Sequence, residues 1–452
     1  MELERCISKG IDLGADFIEI REERSTSTIL RVVDGVVKEL THGDEFRIGI
    51  RTLYKGGWGL SVAKSMEDLE EALIDSFELA KLSSNRSHRF EVDWPSFKGN
   101  HEVLGKEPAY EVPIERKIGI LIDQHKSASS IRGVRNTNIF LVDSLKETRI
   151  LNSLGTDVGQ RIARIRMAAY IFAHEAGVTE ASFESKGGLG GMEVIEGSDV
   201  AERAARRAVE ALSAVPAPPG PHKAILDPKL AGVFIHEAFG HAAEGDAIVN
   251  DESILTGMMG KPVGSPHVSV VDDPTLEGLY GSYRYDDEGT EARRKYIVRE
   301  GVLSSYLTNL EVSRKLNVEL TGNARSMDFG NPPEVRMSNT FIERGDWSFE
   351  EMVSEMKDGI YAFGSLYGYT DPAKGQFMFK AEGGWLIEGG EIVRRLREVA
   401  ITGMTLEVLH DVEAVGNDLY HDPGNCGKKG QWVPVTTGSP HIMVRSLVFG
   451  GR

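Results

Sequence analysis

Two histidines five residues apart on one predicted helix constrain this chain more than any other feature. Residues 227–246 read Asp227-Pro228-Lys-Leu-Ala-Gly-Val-Phe-Ile-His236-Glu237-Ala-Phe-Gly240-His241-Ala-Ala-Glu244-Gly245-Asp246. Asp227 is a good N-cap, and Pro228 suits the first helical position, where a missing N–H costs nothing. Leu230, Val233 and Phe234 mark an apolar face at helical spacing. Gly245 is the predicted stop. Helices that grip a zinc ion space their histidines four apart, as His-Glu-x-x-His. Here the interval is five. At about 100° per residue, five steps leave the rings roughly 140° apart, against about 40° for four. A regular α-helix cannot aim both at one ion. One extra residue in the turn, a π-bulge, repairs the mismatch, and such bulges gather at functional sites. The spacing therefore predicts a bulge or break near residues 239–240, with Gly240 easing a distorted backbone. Paired histidines also occur as plain polar surface. The glutamate directly after His236 and the glycine at the strained step favour the metal reading.

Composition narrows the classes. The 452 residues suffice for two or three domains. A content of 40% hydrophobic and 27% charged residues fits a soluble globular protein. The net charge of −17 opposes a phosphate backbone as partner, so no direct nucleic-acid contact is expected. With only Cys6 and Cys426 there is no disulfide framework, which implies a reducing compartment. The N-terminus is acidic and lacks an apolar signal core, and no apolar run approaches membrane-spanning length. A cytoplasmic location without a membrane partner is expected.

Along the chain, a helix over residues 3–10 leads to a strand at 17–21. Asp34-Gly35 joins two β-rich runs, the strongest short hairpin signal available. Residues 46–52 and 58–62 predict another strand pair. A helix with Ser65 and Asp68 as capping pair follows. Residues 84–112 read as irregular, and 113–127 as a helix. Residues 135–142, 146–152 and 159–174 predict antiparallel strands with turns at Asp143 and Gly155. The glycine-rich residues 186–191 have neither P-loop nor dinucleotide spacing and read as a flexible connection. After a helix at 199–212, four prolines in residues 216–221 predict an extended linker. This places an N-terminal domain at 1–215 and a C-terminal domain at 222–452. Beyond the His-Glu helix, hairpins at 295–303 and 384–393 and a strand at 267–271 dominate. Ser348 and Glu351 form a capping box for one more helix. Strands and helices do not alternate regularly, so the fold class is α+β, the second domain rich in antiparallel sheet and carrying the metal-site helix.

Near the C-terminus, Cys426 sits in a Gly-rich loop, a setting that lets backbone approach a metal. A thiolate with two imidazoles is a proper zinc set and leaves a fourth position open. Read from spacing alone, Cys426 is better taken as a free thiol without a role, because no rule links residue 426 to residue 241. The matching stretches settle more. His-Glu-Ala-Phe-Gly-His-Ala-Ala-Glu-Gly-Asp at 236–246, Tyr-Asp-Asp-Glu-Gly-Thr at 285–290, Arg-Met-Ser-Asn-Thr at 336–340, Gly-Gln-Phe-Met-Phe at 375–379, Val-Gly-Asn-Asp at 415–418 and Asn-Cys-Gly-Lys-Lys-Gly-Gln at 425–431 occur in that order. Through them the chain resembles the TldD/PmbA family of zinc metallopeptidases, also called modulators of DNA gyrase. The His-Glu-x-x-x-His plus Cys combination is that of the TldD branch; the PmbA/TldE branch resembles it in fold and lacks these ligands. The resemblance implies His236, His241 and Cys426 as zinc ligands and Glu237 as the acid/base.

That set has a coherent chemistry. Glu237, next to a ligand, would accept a proton from an activated water and pass it to the leaving amine. The resemblance also implies extended or unfolded peptides as substrates. It further implies a chamber between two subunits, either a homodimer or a heterodimer with a PmbA/TldE-like paralogue. The alternative is a non-enzymatic zinc-binding regulator or scaffold acting with such a paralogue. Glu237 counts against it, since a structural zinc needs no base. A DNA-associated role, which the gyrase name invites, is disfavoured by the acidic charge. Weaker candidates are Glu244 and Asp246 as supports for an imidazole, Asp286, Asp287 and Glu288 as a cation site or acidic turn, and Tyr283, Tyr285 and Arg325 as oxyanion partners. His267, His410, His421 and His441 read as ordinary polar residues, His421 being the one whose position, five before Cys426, puts it close to the site.

Overall fold

A computed structural model describes residues 2–84 and 92–450. Its α+β class and antiparallel character agree with the sequence pattern. The described residues of the N-terminal part form a seven-stranded sheet. Its spine is the long hairpin of Phe17–Val33 and Val36–Tyr54. Asp34 and Gly35 carry it at φ 49° and 77°, the left-handed pair that a tight hairpin turn requires. Phe17–Val33 also pairs with Val134–Asn152, which pairs with Asp157–Glu175. Alternation does the rest: Leu30, Val32, Ile139, Leu141, Ile165 and Met167 point to one side and bury against the helices Ile114–Ser129 and Val200–Ala211. Ile18, Ile20, Ile48 and Ile50 do the same against Glu2–Asp12 and Leu69–Ser83.

The C-terminal part holds a ten-stranded and a six-stranded sheet. Gly220–Leu226, which begins inside the proline-rich stretch, is a strand of the larger one. The His-Glu helix packs between the two sheets. Phe234 meets Phe377 of the larger sheet edge-on at 5.1 Å, and the same apolar cluster includes Ile342 of the smaller.

Five local expectations are corrected. There is no turn at Asp143: Val134–Asn152 is one strand. Asp143 is buried there because Lys117 Nζ donates to its Oδ2 at 2.8 Å. Residues 186–191 are no flexible connection, since the strand Val178–Leu189 runs into them and pairs with Asp157–Glu175. Their glycines permit close backbone approach; a Cβ on Gly191 would stand 1.9 Å from the Glu107 carbonyl oxygen. Within 84–112, Lys98–Val103 forms a strand, while residues 85–91 lie outside the described residues. The expected strand at 267–271 is realised only as Val270–Asp272. Ser65 bonds Asp68 side chain to side chain at 3.0 Å without capping a backbone N–H, whereas Ser348 and Glu351 complete the full capping box.

Lys117 and Asp143 have side chains only 2% and 1% exposed, so each charge depends on the other. Removing one partner of such a pair costs about 3–5 kcal/mol, whereas replacing both by apolar groups is often neutral. Lys117→Met is therefore expected to lower the urea midpoint sharply, and Lys117→Met with Asp143→Leu to recover most of the loss.

Candidate metal centre

The helix that carries the histidines starts as the sequence dictates. Asp227 Oδ1 accepts the Leu230 N–H at 2.8 Å, and Pro228 opens Pro228–Phe234. Ile235–Gly240 is then a π-helix, followed by a 3₁₀ turn at His241–Ala243. The bulge expected from the five-residue spacing lies across the two histidines. Gly240 is not needed for an unusual φ, since its backbone is ordinary right-handed helix at −60° and −43°. A Cβ there would lie 2.1 Å from Met337 Sδ, so the glycine serves close packing. Nor does Gly245 end the helix. Glu244 breaks it at ψ 121°, and Gly245 opens the short helix Gly245–Val249, held against Val312 and the Leu307 carbonyl.

Cys426 comes from the strand Tyr420–Lys428, opposite Val433 of Gln431–Ser439. The strand pair carries its sulfur to the histidines: Cys426 Sγ lies 3.3 Å from His241 Nε2. The two imidazoles stand 5.4 Å apart at 84°. One donor atom each from His236, His241 and Cys426 falls within 4.8 Å of the others. A tetrahedral zinc with bonds of about 2.0–2.3 Å sets donor separations of roughly 3.3–3.6 Å, which the Cys426–His241 pair already meets at 3.3 Å, with His236 close enough to complete the set. His236 adds an independent sign. It is 1% exposed, and both ring nitrogens are buried without a hydrogen-bond partner. Buried polar atoms are rarely left so, and a bound ion is one standard reason.

Surrounding charges prepare the donors. Glu244 Oε2 takes His241 Nδ1 at 3.0 Å, which leaves Nε2 to face the sulfur. Lys428 Nζ reaches Glu244 and Asp246 at 2.8 Å each. Burial alone would raise the Glu244 carboxyl, but Lys428 and His241 outweigh it and hold it at about 2. Burial likewise opposes ionisation of Cys426, and the two imidazoles overcome it, bringing the thiol down to about 5. The thiolate is the form that ligates a metal. Glu237 is different: its side chain is 41% exposed, with Oε2 3.7 Å from His241 Nε2. It stands beside the donor set and open to what arrives there.

Glu244 thus supports the His241 ring directly, and Asp246 acts through Lys428. Supporting carboxylates of this kind are typically worth 10–100-fold in metal affinity. Glu244→Gln is expected to weaken zinc binding by about that factor, read by competition with a chromophoric chelator.

The other candidates fall elsewhere. Asp286, Asp287 and Glu288 form an acidic turn, not an open cation site. Asp286 accepts the N–H groups of Glu288, Thr290 and Ala324, and Glu288 pairs with Arg51 at 2.6 Å, tying the N-terminal sheet to this region. Tyr283, Tyr285 and Arg325 line a separate cavity. His421 packs edge-on against Phe341 at 5.2 Å, and His441 joins Asp418 and Tyr361. Two neighbours of the site lie in the family stretches, but nothing in the sequence says what they touch: Lys428, and the fully buried Arg336, whose Nη2 donates to the Cys426 carbonyl at 2.5 Å.

Three family descriptions match the chain in order: PmbA/TldA metallopeptidase domain 1 at residues 18–82, the central domain at 107–212 and the C-terminal domain at 219–451. The chain belongs to the PmbA/TldD metallopeptidase family. It is 37% identical to a metalloprotease of Methanocaldococcus jannaschii over 96% of both chains. It is 28% identical to a zinc metalloprotease TldD homolog of Saccharolobus solfataricus over 99% of both. Among solved structures, a candidate modulator of a DNA gyrase from Thermotoga maritima shares the fold at TM-score 0.82 and 24% identity, covering 99% of both chains. TldE from Thermococcus kodakarensis does so at 0.82 and 20%, covering all of both. No helix among the described residues is long and apolar enough to cross a membrane.

Proposed function

We propose that this family member is a zinc-dependent peptidase acting on extended or unfolded peptides. One observation carries the reading: the converged donors of His236, His241 and Cys426 with the half-exposed Glu237 carboxylate beside them. Zinc, when bound, supplies a Lewis acid that acidifies water and polarises a carbonyl. His236, His241 and Cys426 hold it, and Glu244 fixes the His241 tautomer. Glu237 takes the proton of the attacking water and returns it to the leaving amine. Relatives named as metalloproteases support the activity class.

The substrate form is supported by the strand Tyr367–Asp371. It is an edge strand of the larger sheet and approaches the π-helical segment that bears Glu237. An extended peptide added to such an edge is read through its backbone, with wide tolerance of side chains. The partner is a second copy of this chain or a PmbA/TldE-like paralogue, and the acidic charge argues against direct contact with nucleic acid. A pure scaffold role gives Glu237 nothing to do. Incubation with an unfolded peptide library, alone and with such a paralogue, is expected to give cleavage that stops with chelator and returns with zinc. Zinc-loaded protein that cleaves nothing under either condition would favour the scaffold.

A further inference from the structure

A cavity of about 150 Å³ lies between the N-terminal sheet and the C-terminal part, on the hairpin that carries Cys426. Its wall includes Pro434, which pairs across that hairpin with Asn425. Two guanidiniums face it, Arg164 from the N-terminal sheet and Arg325 from the C-terminal part. They are 9% and 5% exposed. Arg164 donates to the carbonyls of Tyr280 and Ser282, and Arg325 to that of Met337. Neither is salt-bridged among the described residues. These bonds occupy Nε and Nη2 of Arg164 and Nη1 of Arg325. The rest of each planar fork has no hydrogen-bond partner among the described residues, although the Arg325 guanidinium lies over the Tyr283 ring at 5.0 Å.

Buried like charges are costly unless something opposes them. Arg164 is held down at about 10, first by burial and then by the charge of Arg325, so the two forks repel each other. The other charges on the cavity do not cancel them. Lys146 is a third cation, paired with Glu23 at 2.8 Å. Asp287 is the counter-charge, but its Oδ2 already takes the Ser326 N–H at 2.7 Å, and Lys146 and Arg21 face it as well. Both oxygens of Asp286 are taken up by the backbone N–H groups of Glu288, Thr290 and Ala324, so it pairs with neither fork. A partly enclosed space remains, lined by three cations against the carboxylates of Asp286 and Asp287, with unused donors from two parts of the chain. It is large enough for a small molecule, since one water fills about 30 Å³ of liquid.

We propose that this cavity binds a carboxylate, held between the forks of Arg164 and Arg325. Guanidinium geometry matches a carboxylate oxygen pair. Asp287 in the wall disfavours a dianion such as phosphate. The carboxylate belongs to a small free acid or to the C-terminus of a peptide, and both present the same group. Because the ligand bridges the two parts of the chain, it also steadies the hairpin that positions Cys426. The inference stands apart from the peptidase reading, because its test reads binding alone.

The test is a calorimetric titration of the whole protein with acetate, chloride being the background anion. Saturable binding is expected, and Arg164→Gln or Arg325→Gln should weaken it about 10–100-fold, the worth of a charge-assisted hydrogen bond. Should either variant fail to fold, Met327→Trp fills the cavity rim from a side chain 43% exposed and should abolish binding equally. A tripeptide acid against its amide separates the sources: tighter binding of the acid than of acetate identifies a peptide terminus, and equal binding a free acid. Acetate binding that survives these substitutions lies elsewhere, the metal centre included, and overturns the proposal. So does binding of inorganic phosphate with none of acetate.

Discussion

Glu237→Gln is expected to keep its zinc and lose peptide hydrolysis by about 10²–10⁴-fold in kcat, the range that a positioned acid/base contributes. The two halves of that result have separate causes. Metal retention follows because the donors come from His236, His241 and Cys426, while the Glu237 oxygen is 3.7 Å from His241 Nε2 and belongs to a side chain 41% exposed. Loss of rate follows because an amide can neither take the water's proton nor return it to the leaving amine. Glutamine keeps the size and much of the polarity of the side chain, so the π-helical backbone has no reason to shift. Metal content by mass spectrometry and single-substrate kinetics, measured on the same preparation, read the two halves together. Unchanged kcat in a zinc-loaded Glu237→Gln protein would end the role assigned to this carboxylate.

The second large effect is expected at the ligands. His236→Ala and Cys426→Ser should both fall well below one zinc per chain after dialysis against a mild chelator, and lose activity with it. A serine hydroxyl does not ionise near neutral pH, whereas the Cys426 thiol is held at about 5 by the two imidazoles, against its burial. His236 is 1% exposed with neither nitrogen bonded, so the ring has no other polar task that its loss would disturb. Ligand binding stabilises the native state by mass action, about 2.7 kcal/mol at a hundredfold excess over Kd. Zinc should therefore raise the melting midpoint of the unsubstituted protein clearly and that of either variant far less. Equal zinc-induced shifts in all three would place the ion elsewhere.

Much of this centre was legible in the residues, for reasons that differ from one residue to the next. The five-residue interval between His236 and His241 could be converted into a distorted helix because helical geometry is local and fixed. Asp227 and Pro228 mark the helix start for the same reason. Its end was not local. Gly245 resembles a stop, yet Glu244 turns the chain, and Gly245 is required by the approach of Val312 and Leu307. Asp143 was read as a turn because an aspartate in a strand lacks a visible partner. That partner, Lys117, lies on a helix 26 residues earlier. Distance along the chain also hid Cys426, 185 residues from His241. Only likeness to a family could join them, since nothing in the spacing of a strand pair says which helix it will face. The contacts of Lys428 and Arg336 are hidden on the same ground: long basic side chains usually mark surface, and here one bonds Glu244 and the other the Cys426 carbonyl.

The most direct measurement is X-ray absorption at the zinc edge of the purified protein, with Cys426→Ser alongside. One zinc per chain is predicted, with imidazole nitrogens at about 2.0–2.1 Å and a single sulfur at about 2.3 Å, the sulfur signal vanishing in the substituted protein. A zinc shell without sulfur, or one whose sulfur signal persists in Cys426→Ser, would contradict the centre described here.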